Sequence, residues 1–256
     1  MKEEEKEGIP HHLVDCYSFD EEYNVKIFQE KAREEIKKMH EKGILPIICG
    51  GTGLYIKSML YDYQFEDQKQ DESFMRYLQS RSNDELWGLL NIIDPKSCET
   101  IHHNNRQRVV RALCMAHEGK KKSSIIEEQE HKPIYDAYII GLTMDRDHLY
   151  ERINKRVDIM MEEGLFEEID HLQKQKENVW ELQSFQGIGY KEWKDYFLHN
   201  ESKEFCVKKI KKNSRNFAKR QYTWFNNQMD VHWYDVENQD FQQKLMEDVK
   251  KWLNKQ

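Results

Sequence analysis

Ile44-Leu-Pro-Ile-Ile-Cys-Gly-Gly-Thr-Gly-Leu-Tyr55 is the stretch on which the fold turns. A short apolar run stops at three glycines in four residues, and an amphipathic segment follows. The pattern predicts a buried strand that ends in a tight turn and opens a helix. Such a turn carries backbone N–H groups and the Thr52 hydroxyl to the end of a sheet, where α/β folds bind anionic ligands. Gly50, Gly51 and Gly53 equally suit a purely structural turn. Lys57 lies too far along for the G-x-x-x-x-G-K-[ST] spacing, so this is not a Walker A loop.

Upstream, Val25, Phe28, Ala32, Ile36 and Met39 mark a helical stripe over residues 24–42, and Gly43 stands where a helix C-cap glycine belongs. The order helix, strand, glycine turn, helix predicts an α/β layer fold, a parallel-sheet core, helix-rich overall. Residues 64–131 are polar and helix-compatible, which predicts a helical insertion between core segments 1–63 and 132–256. Beyond it, 134–143 reads as a second core strand, 148–161 as a helix ended by Gly164, and 165–172 as a short helix. A long basic helix over 204–227 and an amphipathic closing helix over 241–253 complete the chain.

The chain has 256 residues, 34% of them charged, and a net charge of −7. That excludes a protein basic all over. Locally the balance reverses: between Lys203 and Arg220 stand eight Lys/Arg and one acid, Glu204. A basic face on an acidic chain points to a localised anionic partner, or to a solvated helix face. No apolar run approaches the ~20 residues of a membrane span, and the charged N-terminus is unlike a signal peptide. The five cysteines are scattered, with no C-x-x-C pair, as expected of reduced thiols in a cytoplasm.

Arg152 and Arg156 sit four apart and share a helix face. Paired guanidiniums suit a pyrophosphate, and equally suit surface pairing with Glu151 or Asp158. Gln107, Arg108 and Arg111 form a similar set in the insertion. Gln186-Gly-Ile-Gly-Tyr-Lys191 is a glycine-kinked turn. Its Tyr190 fits either a stacked base or the core. Lys219-Arg-Gln-Tyr-Thr-Trp-Phe225 interleaves cations with aromatics, a surface suited to single-stranded RNA. Lys219, Arg220 and Gln221 are its expected contacts, with Trp224 and Phe225 in the core. Adjacent His11 and His12 point in different directions and have no third ligand nearby, so no metal site is expected.

Taken together, these segments resemble the tRNA dimethylallyltransferase (tRNA isopentenyltransferase) family. The matching pieces are Gly8–His12, Ile47–Tyr55, Ile101–Asn105 with Gln107–Leu113, Leu149–Asp158 with Glu163–Leu165, Gln186–Glu192 and Ala218–Trp224, all in the family's order. The resemblance implies transfer of a dimethylallyl group from its diphosphate to N6 of the adenosine 3′ of the anticodon. It implies a P-loop-type core, a tRNA-contacting insertion and Mg²⁺ accompanying the diphosphate. The base would be flipped into a channel, by a cytoplasmic enzyme expected to be a monomer. By motif position, Thr52 resembles a residue lining that channel, and Arg156 with Arg152 the diphosphate clamp. Gly50, Gly51, Gly53, Gln107, Arg108, Arg111, Gln186, Gly187, Gly189, Tyr190, Lys191, Lys219, Arg220 and Gln221 resemble substrate and tRNA contacts. All these cations are expected to line one cleft.

One departure is large. The family's glycine-rich G-P-T-x-x-G-K-[ST] loop and its Asp-Ser-x-Gln segment, which supplies the general base, do not occur in residues 1–256. The chain is therefore expected to lack the first strand, phosphate loop and catalytic aspartate, to expose apolar surface for want of that strand, and to transfer poorly. The alternatives are a tRNA-binding remnant without chemistry and, less fittingly, a nucleoside-kinase-like protein.

Overall fold

A computed structural model describes residues 3–65, 71–119, 121–124 and 132–255. The chain divides into two compact units, residues 1–59 with 136–256, and residues 60–135.

In the first unit, α1 (Val25–Glu41) begins at Asn24, whose side chain accepts the amides of Lys26 and Ile27. It ends in a Schellman turn: the Gly43 amide donates to His40 O, the Ile44 amide to Met39 O, and Gly43 takes φ +67°. The next segment departs from expectation. Residues 44–50 form no strand, and Ile47 is 90% exposed, with Ile44, Leu45 and Ile48 also exposed. An apolar run becomes a strand only when a neighbour takes up its N–H and C=O groups, and no described strand lies beside it.

The sheet that does form is small. β1 (Ile140–Thr143) pairs in parallel with β2 (His232–Asp235), in the register Ile140↔His232 to Thr143↔Asp235. Only the end of the predicted strand 134–143 is ordered as one, and β2 was not legible beforehand. Ile140 and Leu142 of β1 remain exposed. Gly141 is required because a Cβ there would stand 2.5 Å from the Trp233 ring and 2.7 Å from Val231.

Helices carry the rest of this unit: α2 (Gly53–Leu60, whose last residue opens the second unit), α7 (Arg146–Glu162), α8 (Leu165–Gln173), α9 (Lys194–His199), α10 (Lys203–Gln228) and α11 (Phe241–Leu253). The core gathers Val157, Leu165, Ile169, Val179, Phe185, Trp193, Cys206 and Ile210. α7 packs on α10 through Asp158–Lys211 (2.6 Å) and Asn154–Arg215 (2.5 Å). No helix of the described residues is long and apolar enough to cross a membrane.

The second unit contains α3 (Glu72–Gln79), α4 (Asn83–Ile93), α5 (Pro95–Thr100) and α6 (Arg106–His117) around Leu78, Leu86, Leu90, Ile101, Val109, Ala112 and Leu113. Ser82 and Glu85 close a capping box on α4. Arg106 donates to the carbonyls of Leu78, Gln79 and Arg81, filling acceptors that the end of α3 leaves open. The two ends of the unit are tied by Asp62 N to Lys132 O and Ile134 N to Leu60 O.

The glycine turn is fixed by α10, and the C-terminal end of α2 by α1. Gln221 Nε2 donates to Gly51 O at 2.9 Å, and Lys57 Nζ to Gln228 Oε1 at 2.9 Å. Between these rungs the Trp224 ring lies so close to Gly53 that a Cβ there would be 2.1 Å from its nearest carbon. From the other side Gln29 and Arg33 donate to the carbonyls of Ser58 and Met59.

Two predictions arise from this packing. Gly53→Ala drives a methyl into a rigid indole and is expected to cost about 1–3 kcal/mol. At Gly51 the added carbon meets only the flexible end of Gln221, so Gly51→Ala is expected to cost less. Urea unfolding of both variants checks the order, and equal midpoints would refute the Trp224 constraint.

The second concerns pH. Glu237 accepts from the Asp145 amide and from His148 Nδ1 at 2.6 Å, fastening the start of α7 to the segment after β2. The bond to Glu237, and then its charge, raise the His148 pKa above 6.5. Asp145's amide, followed by the His148 bond, lowers that of Glu237. A raised histidine pKa stabilises fully below the unfolded value and loses that contribution as pH rises through the folded value; the lowered carboxylate loses its own as pH falls. The melting-point deficit of His148→Ala should therefore be largest near pH ~5–6 and shrink above pH ~8. A deficit that grows with pH would contradict this.

Candidate nucleic-acid interface

The C-terminal half of α10 carries an open groove of about 560 Å³ lined by Asn216, Lys219, Arg220, Thr223, Trp224, Asn227 and Gln228. These positions fall on one helical face. They combine two cations, an indole wall and three side-chain amides. Cations hold phosphates, the indole offers stacking area, and amides offer both donors and acceptors to base edges. Lys219 and Arg220, two of the expected contacts, both line the groove. Gln221 is turned to the glycine turn, with its amide donated to Gly51. Trp224 serves both sides, packing on Gly53 and lining the groove. Asn216, Thr223, Asn227 and Gln228 went unremarked in the sequence; their spacing from Lys219 was the available signal.

The turn itself has two uses for glycine that the sequence could not show. Gly51 and Gly53 are small because Gln221 and Trp224 press on them. Nothing approaches Gly50 within 4 Å of where a Cβ would stand. Thr52 is exposed and its carbonyl receives the amides of Tyr55 and Ile56, which sets it at the mouth of α2. Its hydroxyl has no hydrogen-bond partner among the described residues, and the unpaired amides and positive dipole end of α2 start beside it. Burial lowers the pKa of Lys57, one turn further on.

Arg152 and Arg156 are both exposed on α7. Arg156 pairs with Glu163 at 3.4 Å, an alternative neither Glu151 nor Asp158 supplied. Lys211 and Arg215 of α10 hold α7, and Lys219 of the groove follows Arg215 by one turn of the same helix.

Gln186-Gly-Ile-Gly-Tyr-Lys191 is held from within. Gln186 donates to Trp180 O at 2.8 Å, and Gly187 packs on Ser184 O. Gly189 takes φ +101° and its amide donates to Glu192. Glu192, 1% exposed, also accepts from Asn213 of α10 at 2.7 Å. The Tyr190 ring packs against the core beside Phe185, and its hydroxyl donates to Glu168. Burial, then Glu168, push its pKa upward. Lys191 is exposed. In the second unit, Gln107, Arg108 and Arg111 form the exposed face of α6 opposite Val109, Ala112 and Leu113.

His12 pairs with Glu35 at 2.8 Å and His11 with the Ile9 carbonyl, so both imidazoles have local partners. Among the described residues no three His, Cys, Asp or Glu gather as a metal cage.

Known proteins resemble this one along its length. The sequence model of the IPP transferase family matches residues 1–228. A tRNA dimethylallyltransferase of Bacillus cereus is 48% identical over 241 residues, spanning 92% of this chain and 75% of that protein. The solved tRNA delta(2)-isopentenylpyrophosphate transferase of Staphylococcus epidermidis superposes with a TM-score of 0.69 at 41% identity, covering all of this chain and 84% of the other. A eukaryotic dimethylallyltransferase solved acting on tRNA superposes with a TM-score of 0.83 at 26% identity, covering all of this chain and 68% of the other. The chain belongs to the IPP transferase family.

Proposed function

We propose that this protein is a cytoplasmic, monomeric tRNA dimethylallyltransferase that prenylates N6 of the adenosine 3′ of the anticodon. The observation that carries the reading is the groove of Lys219, Arg220 and Trp224 seated against the glycine turn 50–53, in a chain of this family. Single-stranded RNA is read by stacking and by phosphate contacts, and both chemistries meet there.

In the reaction the bond from the allylic carbon to the diphosphate oxygen breaks, and its electron pair leaves with pyrophosphate. The N6 lone pair forms the new C–N bond, and N6 gives up one proton to the departing pyrophosphate. Arg156 and Arg152 clamp the diphosphate and stabilise the charge that develops on it. Thr52 positions the adenine. Gly50, Gly51 and Gly53 let the backbone approach the substrates. Gln107, Arg108, Arg111, Lys191, Lys219 and Arg220 hold tRNA, and Gln186, Gly187, Gly189, Tyr190 and Gln221 shape the surfaces that present them.

Mg²⁺ accompanies the diphosphate in this reading. The turn offers amides and one hydroxyl, not a carboxylate set, so the described residues do not hold the ion by themselves and no step is assigned to it. Nor does Thr52 replace a carboxylate as proton acceptor. The described residues thus offer N6 no carboxylate proton acceptor, and slow transfer with salt-sensitive tRNA binding is the expected behaviour of this polypeptide. The exposed run Ile44–Ile48 supports that part of the reading.

Labelled dimethylallyl diphosphate and unmodified tRNA test it. Salt-sensitive tRNA binding and slow transfer are expected. Failure to bind tRNA would overturn the function, and turnover within about tenfold of the Bacillus cereus relative would overturn the slow-catalyst assignment. Arg156→Ala should lower single-turnover transfer by about 10²-fold while tRNA affinity changes little; equal losses would remove the clamp role.

A further inference from the structure

Thr52 stands between two glycines that α10 holds separately. Gly51, before it, accepts from Gln221 Nε2 at 2.9 Å, and a Cβ on Gly51 would stand 2.1 Å from that nitrogen. Gly53, after it, lies against the Trp224 ring. Gln221 and Trp224 are three apart on one helix, so α10 itself fixes the spacing of the two grips. The Thr52 carbonyl receives the Tyr55 and Ile56 amides, which ties the same residue to the first turn of α2. Its backbone is thus held from three directions while its hydroxyl faces solvent.

The helix that holds the turn is itself held to the sheet. Tyr222 donates its hydroxyl to Thr143 Oγ1 at 2.9 Å, at the end of β1, and its ring stacks on Trp233 of β2 with centroids 5.0 Å apart. Trp233 Nε1 donates to Asn226 Oδ1 at 2.8 Å, one turn further along α10. Residues 222 and 226 therefore grip the sheet, and 221 and 224 grip the turn. Adjacent side chains of one helix index the glycine turn to the end of the parallel strands. The Gly51 carbonyl can only accept, so the grip at 221 needs an N–H donor of that reach. Lys219 and Arg220 line the groove, whereas the Gln221 amide is committed to the turn.

We propose that Gln221 is a positioning residue for prenyl transfer: through the Gly51 carbonyl it sets where Thr52 meets the adenine, and it takes no part in holding tRNA. This rests on the prenyl-transfer reading above and replaces the RNA contact that its motif position suggested. A group that acts by placement loses rate when its support loosens, and binding made elsewhere is kept.

Gln221→Met keeps the length of the side chain and removes the donor. In the full chain without RNA, the Tyr55 and Ile56 amides should exchange about 3–10-fold faster in this variant. Single-turnover transfer from labelled dimethylallyl diphosphate at saturating tRNA should fall about 10-fold or more, with the affinity for an anticodon stem-loop and its salt dependence unchanged. Gln221→Lys returns an N–H donor and should recover both the exchange protection and part of the rate. Wild-type exchange at Tyr55 and Ile56 in Gln221→Met would overturn the support role. Faster exchange with an unchanged rate would leave a merely structural tie and overturn the positioning role. Losses of stem-loop affinity and of rate in equal measure would return Gln221 to the RNA contacts and overturn the proposal. Wild-type protein without measurable transfer would overturn the prenyl-transfer reading and this role with it, whatever the exchange shows.

Discussion

The contact of the Trp224 ring with Gly53 is the constraint on which the first unit depends. An indole is rigid and large, and it reaches the turn only because residue 53 has no Cβ. With that contact made, Gln221 reaches the Gly51 carbonyl and Lys57 reaches Gln228, so the turn and α2 register on α10 at three successive points. α10 is 26 residues long, ~39 Å at 1.5 Å per residue. Along that length it also holds α7 through Lys211 and Arg215, and the 187–193 turn through Asn213. One helix is thus the shared support of every candidate substrate contact in the unit. Lys219 and Arg220 line its groove while Gln221, the next residue, turns to the Gly51 carbonyl.

The parts of this fold legible in sequence are those set by nearest neighbours. Gly43 stops α1 because a left-handed residue is needed there, and both Schellman bonds form. Gly164 separates α7 from α8 for the same reason, with φ +98°. The long basic helix was bounded to within a residue at each end, since Ser202 caps it and its apolar stripe is regular. The basic groove was half legible: the cations stood out, and the amides between them, which carry no charge and little hydropathy signal, did not.

What could not be read depended on distant partners. Ile44–Cys49 has the composition of a strand, but a strand is a property of two segments, and no described neighbour completes this one. β2 is four residues long and is separated from the end of α10 by three residues. Its identity comes from the β1 register, 92 residues away in sequence. The glycines of the turn looked like phosphate-cradling residues, yet Gly53 is required by the Trp224 ring, 171 residues along, and Gly51 meets the flexible end of Gln221. Tyr190 had two open readings, and Glu168, which accepts its hydroxyl, decides the orientation of the ring.

The charge distribution is compatible with the RNA binding proposed for this acidic chain. A net charge of −7 repels polyanions at long range. Beyond a Debye length of ~8 Å, however, physiological salt screens that field, and only local cations are felt. Acidic residues near the cations are largely engaged: Asp158 with Lys211, Asp195 with Lys209, Asp94 with serines. Lys219 and Arg220 in the groove are not drawn into such pairs among the described residues, and neither are Arg108 and Arg111 on α6. Specific docking then requires close approach in the correct pose, since outside it the chain offers a polyanion little but repulsion. A uniformly basic protein would hold RNA anywhere along its surface. Confining the free cations to a few faces of an acidic body restricts strong binding to the arrangements in which those faces are satisfied together.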